Sequence, residues 1–143
     1  MKRFFLVTCC LIVASATVSF AQSLTINISG IRTDQGALCI GIYTNSRQFE
    51  TEQPYRRLIV TKEKVKDGKI AVIVKDLPAG QYGIALLDDE NSNGKMDFRL
   101  LLPAEGYGFS NYRHAGMRKP RFEDFEFETY KGKNQICIEL KYY

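Results

Sequence analysis

From residue 24 onward, apolar and polar side chains alternate along most of this chain, the period of a strand with one buried face. Leu24, Ile26 and Ile28 are separated by Thr25 and Asn27, and the run ends at Gly30. Asp34-Gln35-Gly36 is turn chemistry and residues 37–43 form the next strand, so the first two strands are expected to pair as a hairpin. Residues 45–54 lose the alternation and predict a loop with a short helical turn around 48–52. Residues 57–65 and 69–75 predict a second hairpin about Asp67-Gly68. Asp76-Leu77-Pro78-Ala79-Gly80 is a further turn, followed by a strand over 81–88 with Tyr82, Ile84 and Leu86 on one face. The last strand spans 134–143. Residues 89–133 read as a long, aromatic-rich loop region without strong regular structure, expected to be ordered and packed over one end of the sandwich, with a short strand at 125–129 where Phe125 and Phe127 alternate with Glu126 and Glu128. Short strands at close spacing and no helical period predict an all-β fold, a single antiparallel β-sandwich.

The first 21 residues break this pattern. Lys2 and Arg3 precede an apolar run over 4–13, and Ser19 and Ala21 stand at the −3 and −1 places of a leader-peptidase site. The run is about half of the roughly 20 residues a spanning helix needs. Residues 1–21 are therefore expected to be a cleaved signal peptide and residues 22–143 one domain, periplasmic or secreted, without an integral membrane segment. Cys9 and Cys10 sit inside the run without a lipoprotein-type small residue before them, and are expected to leave with the leader.

Removing the leader changes what charge and cysteine mean. Without Lys2 and Arg3, 18 of the 20 Lys and Arg stand against 16 Asp and Glu, a net +2. That balance argues for neither nucleic acid nor an anionic membrane as partner. Two cysteines remain, Cys39 and Cys137, each alternating with apolar neighbours. An exported domain permits a disulfide between them; two free thiols are the alternative.

One segment carries metal-site spacing. Asp89, Asn91, Asn93, Lys95 and Asp97 with Gly94 form D-x-N-x-N-G-x-x-D, the first nine positions of an EF-hand-type calcium loop, with Lys95 offering only its carbonyl. Position 12 holds Leu100 in place of the bidentate Glu. Ca²⁺ would need further oxygens from Asp88, Glu105 or water, and would bind weakly, on the order of 10⁻⁴–10⁻³ M. A metal-free turn uses the same residue types.

The next segment sets glycines among rings, from Glu105 through Tyr107, Phe109 and Asn111 to Tyr112 and Arg113. Tyr107, Phe109 and Tyr112 suit stacking on a sugar or peptide, with Arg113 and Arg118 as polar contacts; a structural loop covering the core is the alternative. Catalysis finds less support. His114 is the one histidine, no nucleophile motif accompanies it, and Glu123, Asp124, Glu126 and Glu128 read as the solvated side of a strand. A hydrolase would have to use Glu105 or Asp124.

The order of these motifs, with D-L-P-A-G-Q-Y at 76–82, D-E-N-S-N-G-K-M-D at 89–97, E-G-Y-G-F-S-N at 105–111 and P-R-F-E-D at 120–124, closely resembles an exported bacterial family catalogued as domain of unknown function number 2141. The resemblance implies an exported β-sandwich and brings no catalytic residues. Residues 80–97 are also similar to segments of prealbumin-like and carboxypeptidase-regulatory-like modules, a likeness at the level of fold. The expected function is that of a non-enzymatic binding or accessory module of the cell envelope, meeting a glycan or protein. A glycan hydrolase and a purely structural envelope component are the alternatives.

Overall fold

The computed structural model describes residues 22–143; the expected leader lies outside them. Ten strands and two short helical turns follow in order: β1 (Ser23–Ser29), β2 (Ala37–Tyr43), α1 (Ser46–Glu50), β3 (Arg56–Thr61), β4 (Lys69–Lys75), β5 (Gly80–Asp89), β6 (Phe98–Arg99), β7 (Leu102–Pro103), β8 (Gly106–Phe109), a 3₁₀ turn (Phe122–Asp124), β9 (Glu126–Thr129) and β10 (Lys133–Glu139). One sheet has the order β10-β1-β4; the other has the order β3-β2-β5-β8, with β9 sharing the β8 edge of β5. The all-β sandwich expected from the alternation is present. Its pairs are antiparallel except β1 with β10, which run parallel.

Both predicted hairpins are corrected by the topology. β1 pairs with β4 and β10, whereas β2 pairs with β3 and β5, so the first two strands lie in opposite sheets. β3 and β4 are likewise separated, although Asp67 and Gly68 do form the tight turn at positive φ. The turn chemistry is local and correct. Pairing is not local: each of these strands has one apolar face, and facing them across the sandwich buries both.

The core forms where those faces meet. Leu24, Ile26 and Ile28 of β1, with Val74, Ile136 and Ile138, pack against Leu38, Ile40 and Ile42 of β2 and Ile84 and Leu86 of β5, all buried. Each such side chain contributes roughly 1.5–3 kcal/mol on leaving water. A second cluster of Tyr43, Phe49, Phe109, Phe122 and Phe125 covers part of the outer face of the five-stranded sheet. Phe125 sits 4.9 Å from Phe49 and 5.0 Å from Phe109, centroid to centroid. Gly83 makes room for this cluster, since a Cβ there would come within 2.7 Å of both Phe122 and Phe125. α1 supplies Phe49 and is capped by Asn45, whose side chain accepts the Gln48 N–H.

The long segment after β5, expected to be an ordered loop region, is ordered. It carries β6 to β9, and Ser110 anchors it: its hydroxyl donates to the Phe125 carbonyl at 2.6 Å and accepts the Ile84 N–H at 2.9 Å. Asn111 then crosses to the other sheet, its N–H donating to the Cys137 carbonyl while its side chain accepts the Cys137 N–H. β8 and β10 thus close one edge of the sandwich.

Candidate functional site

The Asp89 side chain organises the turn that follows β5. It accepts the N–H groups of Asn93 at 3.0 Å and Gly94 at 2.8 Å, so the chain curls around one carboxylate. Asn91 and Asn93 turn their amide nitrogens to Asp97, at 2.5 and 2.8 Å, while their oxygens accept the N–H groups of Asn93 and Lys95. Gly94 takes positive φ, as the sharp turn requires. The loop therefore satisfies its own hydrogen bonds. The oxygens are of the type Ca²⁺ takes, and those of both amides already accept one backbone N–H each. Among the described residues no three carboxylates, thiols or imidazoles converge on one point.

Glu105 is a clamp on this loop rather than a ligand contact. Buried, it accepts the Glu90 N–H at 3.1 Å and the Asp97 N–H at 3.3 Å, which pins both ends of the turn. The root of the loop is held from below by charge. Lys62 and Asp88 form an ion pair with both side chains fully buried, and Tyr142 donates to Asp88 at 2.6 Å. Burial, and then the Asp88 carboxylate, push the Tyr142 phenol well above its usual range. Lys62 also donates to the Thr33 carbonyl. Beside it, Arg32 grips Glu90 through two bonds of 2.7 and 2.8 Å and stacks on the Tyr142 ring at 4.3 Å. The guanidinium holds the Glu90 carboxyl below its ordinary value.

The aromatic segment divides between core and surface. Phe109 is buried in the second cluster, with only an edge reaching the cavities beside it. Asn111 is spent on the bridge to β10. Tyr107 remains half-exposed, stacked on Tyr143 at 6.3 Å, and Tyr112 leans on His114 at 5.9 Å. Arg113 lies near Glu139 at 3.6 Å, both exposed. Asp124 accepts the Arg121 N–H and caps the 3₁₀ turn, which lowers its pKa. Glu105 and Asp124 serve different segments and do not converge as a catalytic pair.

The expected disulfide is not formed: Cys39 and Cys137 are free thiols. Each points away from the core, Cys39 from the five-stranded sheet and Cys137 from the three-stranded one, so the whole sandwich stands between them. Burial, and then Asp89 at 3.8 Å, push the Cys39 thiol up.

Four of the expected site residues, Tyr107, Phe109, Tyr112 and Arg113, do meet, lining a cavity of about 480 Å³ with His114 and Glu139; a second, more apolar groove of about 610 Å³ lies on the outer face of the five-stranded sheet. Its floor is Cys39 and Gly41 of β2, Ile59 of β3, Ala85 and Leu87 of β5 and Tyr107 of β8. Gly94, Lys95, Met96, Phe98 and Pro103 line one stretch of it, and His114, Met117 and Arg118 another. Its cations are Arg57, Lys95, Arg118 and Lys119; its carboxylate is Glu52, which pairs with Lys119 at 3.2 Å. Of the expected site residues, Lys95, Tyr107 and Arg118 face this groove, with Phe109 behind them. Sequence reasoning missed Ile59, Leu87, Met96 and Met117. A signal was present: Leu58-Ile59-Val60 and Ile84-Ala85-Leu86-Leu87 are continuous apolar runs, the mark of strands covered on both faces.

Residues 26–137 match the family described as an uncharacterised protein conserved in bacteria, DUF2141. No curated protein and no solved structure matches the chain.

Proposed function

The chain belongs to the DUF2141 family, and from that premise we propose that it is an exported, non-enzymatic binding module of the bacterial cell envelope, holding its ligand in the groove on the outer face of the β3-β2-β5-β8 sheet. The observation that carries this reading is the composition of the groove. An apolar floor large enough for a small ligand meets a rim of free cations, Arg57, Lys95 and Arg118. The complementary ligand has a flat or apolar body and an anionic group, a class that includes acidic glycan fragments and peptides with an acidic end. Glycoside hydrolysis needs two carboxylates facing one substrate. Glu105 instead has both oxygens committed to backbone N–H groups, which favours binding over catalysis.

Calcium belongs to the same proposal as a brace for one wall. Asp89, Asn91, Asn93, the Lys95 carbonyl and Asp97 are the oxygen set that would hold it, and Gly94 to Met96 of that loop line the groove.

The test is a thermal-shift screen of the protein against oligosaccharides and acidic peptides. A compound that raises the midpoint should lose its effect in Ile59→Glu and Tyr107→Ala. Ile59 is 71% exposed, so the substitution charges the floor without opening the core. Compounds that stabilise both variants as well as the wild type would place the ligand elsewhere.

A further inference from the structure

The two-residue hairpin β6–β7 breaks the rules of its own turn. Phe98 pairs with Pro103 and Arg99 with Leu102, leaving Leu100 and Leu101 as the two connecting residues. Both have positive φ, 49° and 69°. Such a turn ordinarily takes Asn-Gly, because a side chain bearing a Cβ and a branched γ-carbon is crowded there. Leucine at both positions is strained, and nothing in the fold recovers the cost: the two side chains are 92% and 93% exposed. Phe98 on the same hairpin is 67% exposed, and Met117, across the groove lining, 84%. Strain held at an exposed apolar tip is the mark of a contact made outside the molecule.

Charge identifies the other side of that contact. Residues 95–121 hold six basic residues and two acidic ones. Of the acidic pair, Glu105 is buried, and Asp97 is half-buried and receives the amides of Asn91 and Asn93. Of the six basic residues, Arg113, Lys119 and Arg121 pair with Glu139, Glu52 and Asp124, which leaves Lys95, Arg99 and Arg118 exposed without an ion-pair partner among the described residues. Lys95 and Arg99 flank the tip, and Arg118 adjoins Met117. An apolar finger collared by cations complements an anionic lipid surface, where leucine and phenylalanine enter the acyl boundary and lysine and arginine meet the headgroups.

We propose that the Phe98–Pro103 hairpin is a membrane-docking element that seats this protein on a bilayer bearing anionic lipids. Docking is peripheral, by a two-residue tip, and sets the mouth of the groove against the lipid surface. No helix among the described residues is long and apolar enough to cross a membrane. The inference does not require the groove to be occupied.

The decisive variant improves the turn while removing the tip. In Leu100→Asn/Leu101→Gly the connecting residues suit their φ values, so the folded state should melt at or above the wild-type midpoint. Its binding should nevertheless fall. The assay is co-flotation of the protein, purified from the soluble fraction after processing by the expressing cell, with vesicles of phosphatidylethanolamine and phosphatidylglycerol or of phosphatidylcholine alone. Wild type is expected to float with the anionic vesicles and to be released by 0.5 M salt. The Asn-Gly variant and Lys95→Glu/Arg99→Glu should each lose at least tenfold in partition. Two results overturn the proposal: wild type that fails to float with anionic vesicles at low salt, and an Asn-Gly variant that floats as wild type does. A concentration-dependent dimer abolished by the Asn-Gly change, without vesicle binding, overturns it too and assigns the tip to a second copy of this chain.

Discussion

Replacing Lys62 by Met should be among the most damaging single changes in this protein. The Lys62 and Asp88 side chains are both 0% exposed, so each charge has been stripped of water and has the other as its main compensation. Lys62→Met fills the same space but leaves the carboxylate buried with only the Tyr142 hydroxyl, 2.6 Å away. Breaking one side of such a pair costs about 3–5 kcal/mol. A domain of this size loses roughly 4 °C per kcal/mol, so the midpoint should fall by about 12–20 °C. The second variant isolates the cause. Lys62→Met/Asp88→Asn removes both charges while keeping an acceptor for Tyr142, and should recover most of the loss. Thermal and urea denaturation followed by circular dichroism measure both. A Lys62→Met protein within about 1 kcal/mol of wild type would refute the reasoning, as would a double variant no more stable than the single one. The structural consequence is local to the site, since this pair roots the 89–97 loop that lines the groove.

Calcium at 10 mM, against a dissociation constant of about 1 mM, should stabilise by about 1.4 kcal/mol and raise the midpoint by roughly 5 °C. Equal midpoints in calcium and in chelator would remove the ion from the proposed function. The Arg32–Glu90 clamp should show in acid. The folded-state carboxyl lies below its ordinary 4.5, so its contribution is complete above that value and is lost as pH falls through the folded one. The gap in midpoint between wild type and Glu90→Gln should therefore be constant above about pH 5 and close below it; a gap unchanged at about pH 3 would contradict the clamp. Alkylation followed by intact mass should modify both cysteines without reductant, Cys137 rapidly because it is exposed and Cys39 slowly because its thiol is held up. Resistance of both until reduction would restore the disulfide.

Much of the local structure was legible because its causes lie within a few residues. Asp67-Gly68 announces a positive-φ turn and Gly94 the sharp bend of the Asp89 loop, and both form. Leu24, Ile26 and Ile28 announce an inward face, and all three are buried. The candidate site was legible only in part. Asp89, Asn91, Asn93 and Asp97 are legible as one loop, but the hydrogen bonds from both amides to Asp97 have no signature in residue type. Whether the 105–113 segment presents its rings or covers the core is open in the sequence; the burial of Glu105 and Phe109 depends on β8 being drawn between β5 and β10. The β6–β7 hairpin escaped notice because Leu100-Leu101 is not a hairpin turn by composition, and its strained geometry is visible only in the backbone.

The residue order by itself determined where strands run, which side of each is apolar and where the chain reverses, since alternation and turn chemistry are properties of one short segment. It also determined family membership, which rests on the linear order of motifs. Tertiary structure alone decided partners. It placed β1 and β2 in opposite sheets, kept Cys39 and Cys137 apart, buried Lys62 against Asp88 and gathered Ile59, Leu87 and Met117 into one groove. A net charge of +2 over residues 22–143 says nothing of a membrane. Folding buries Glu105, engages Asp97 with two amides and leaves Lys95 and Arg99 outside, and that separation of charge is a property of three dimensions.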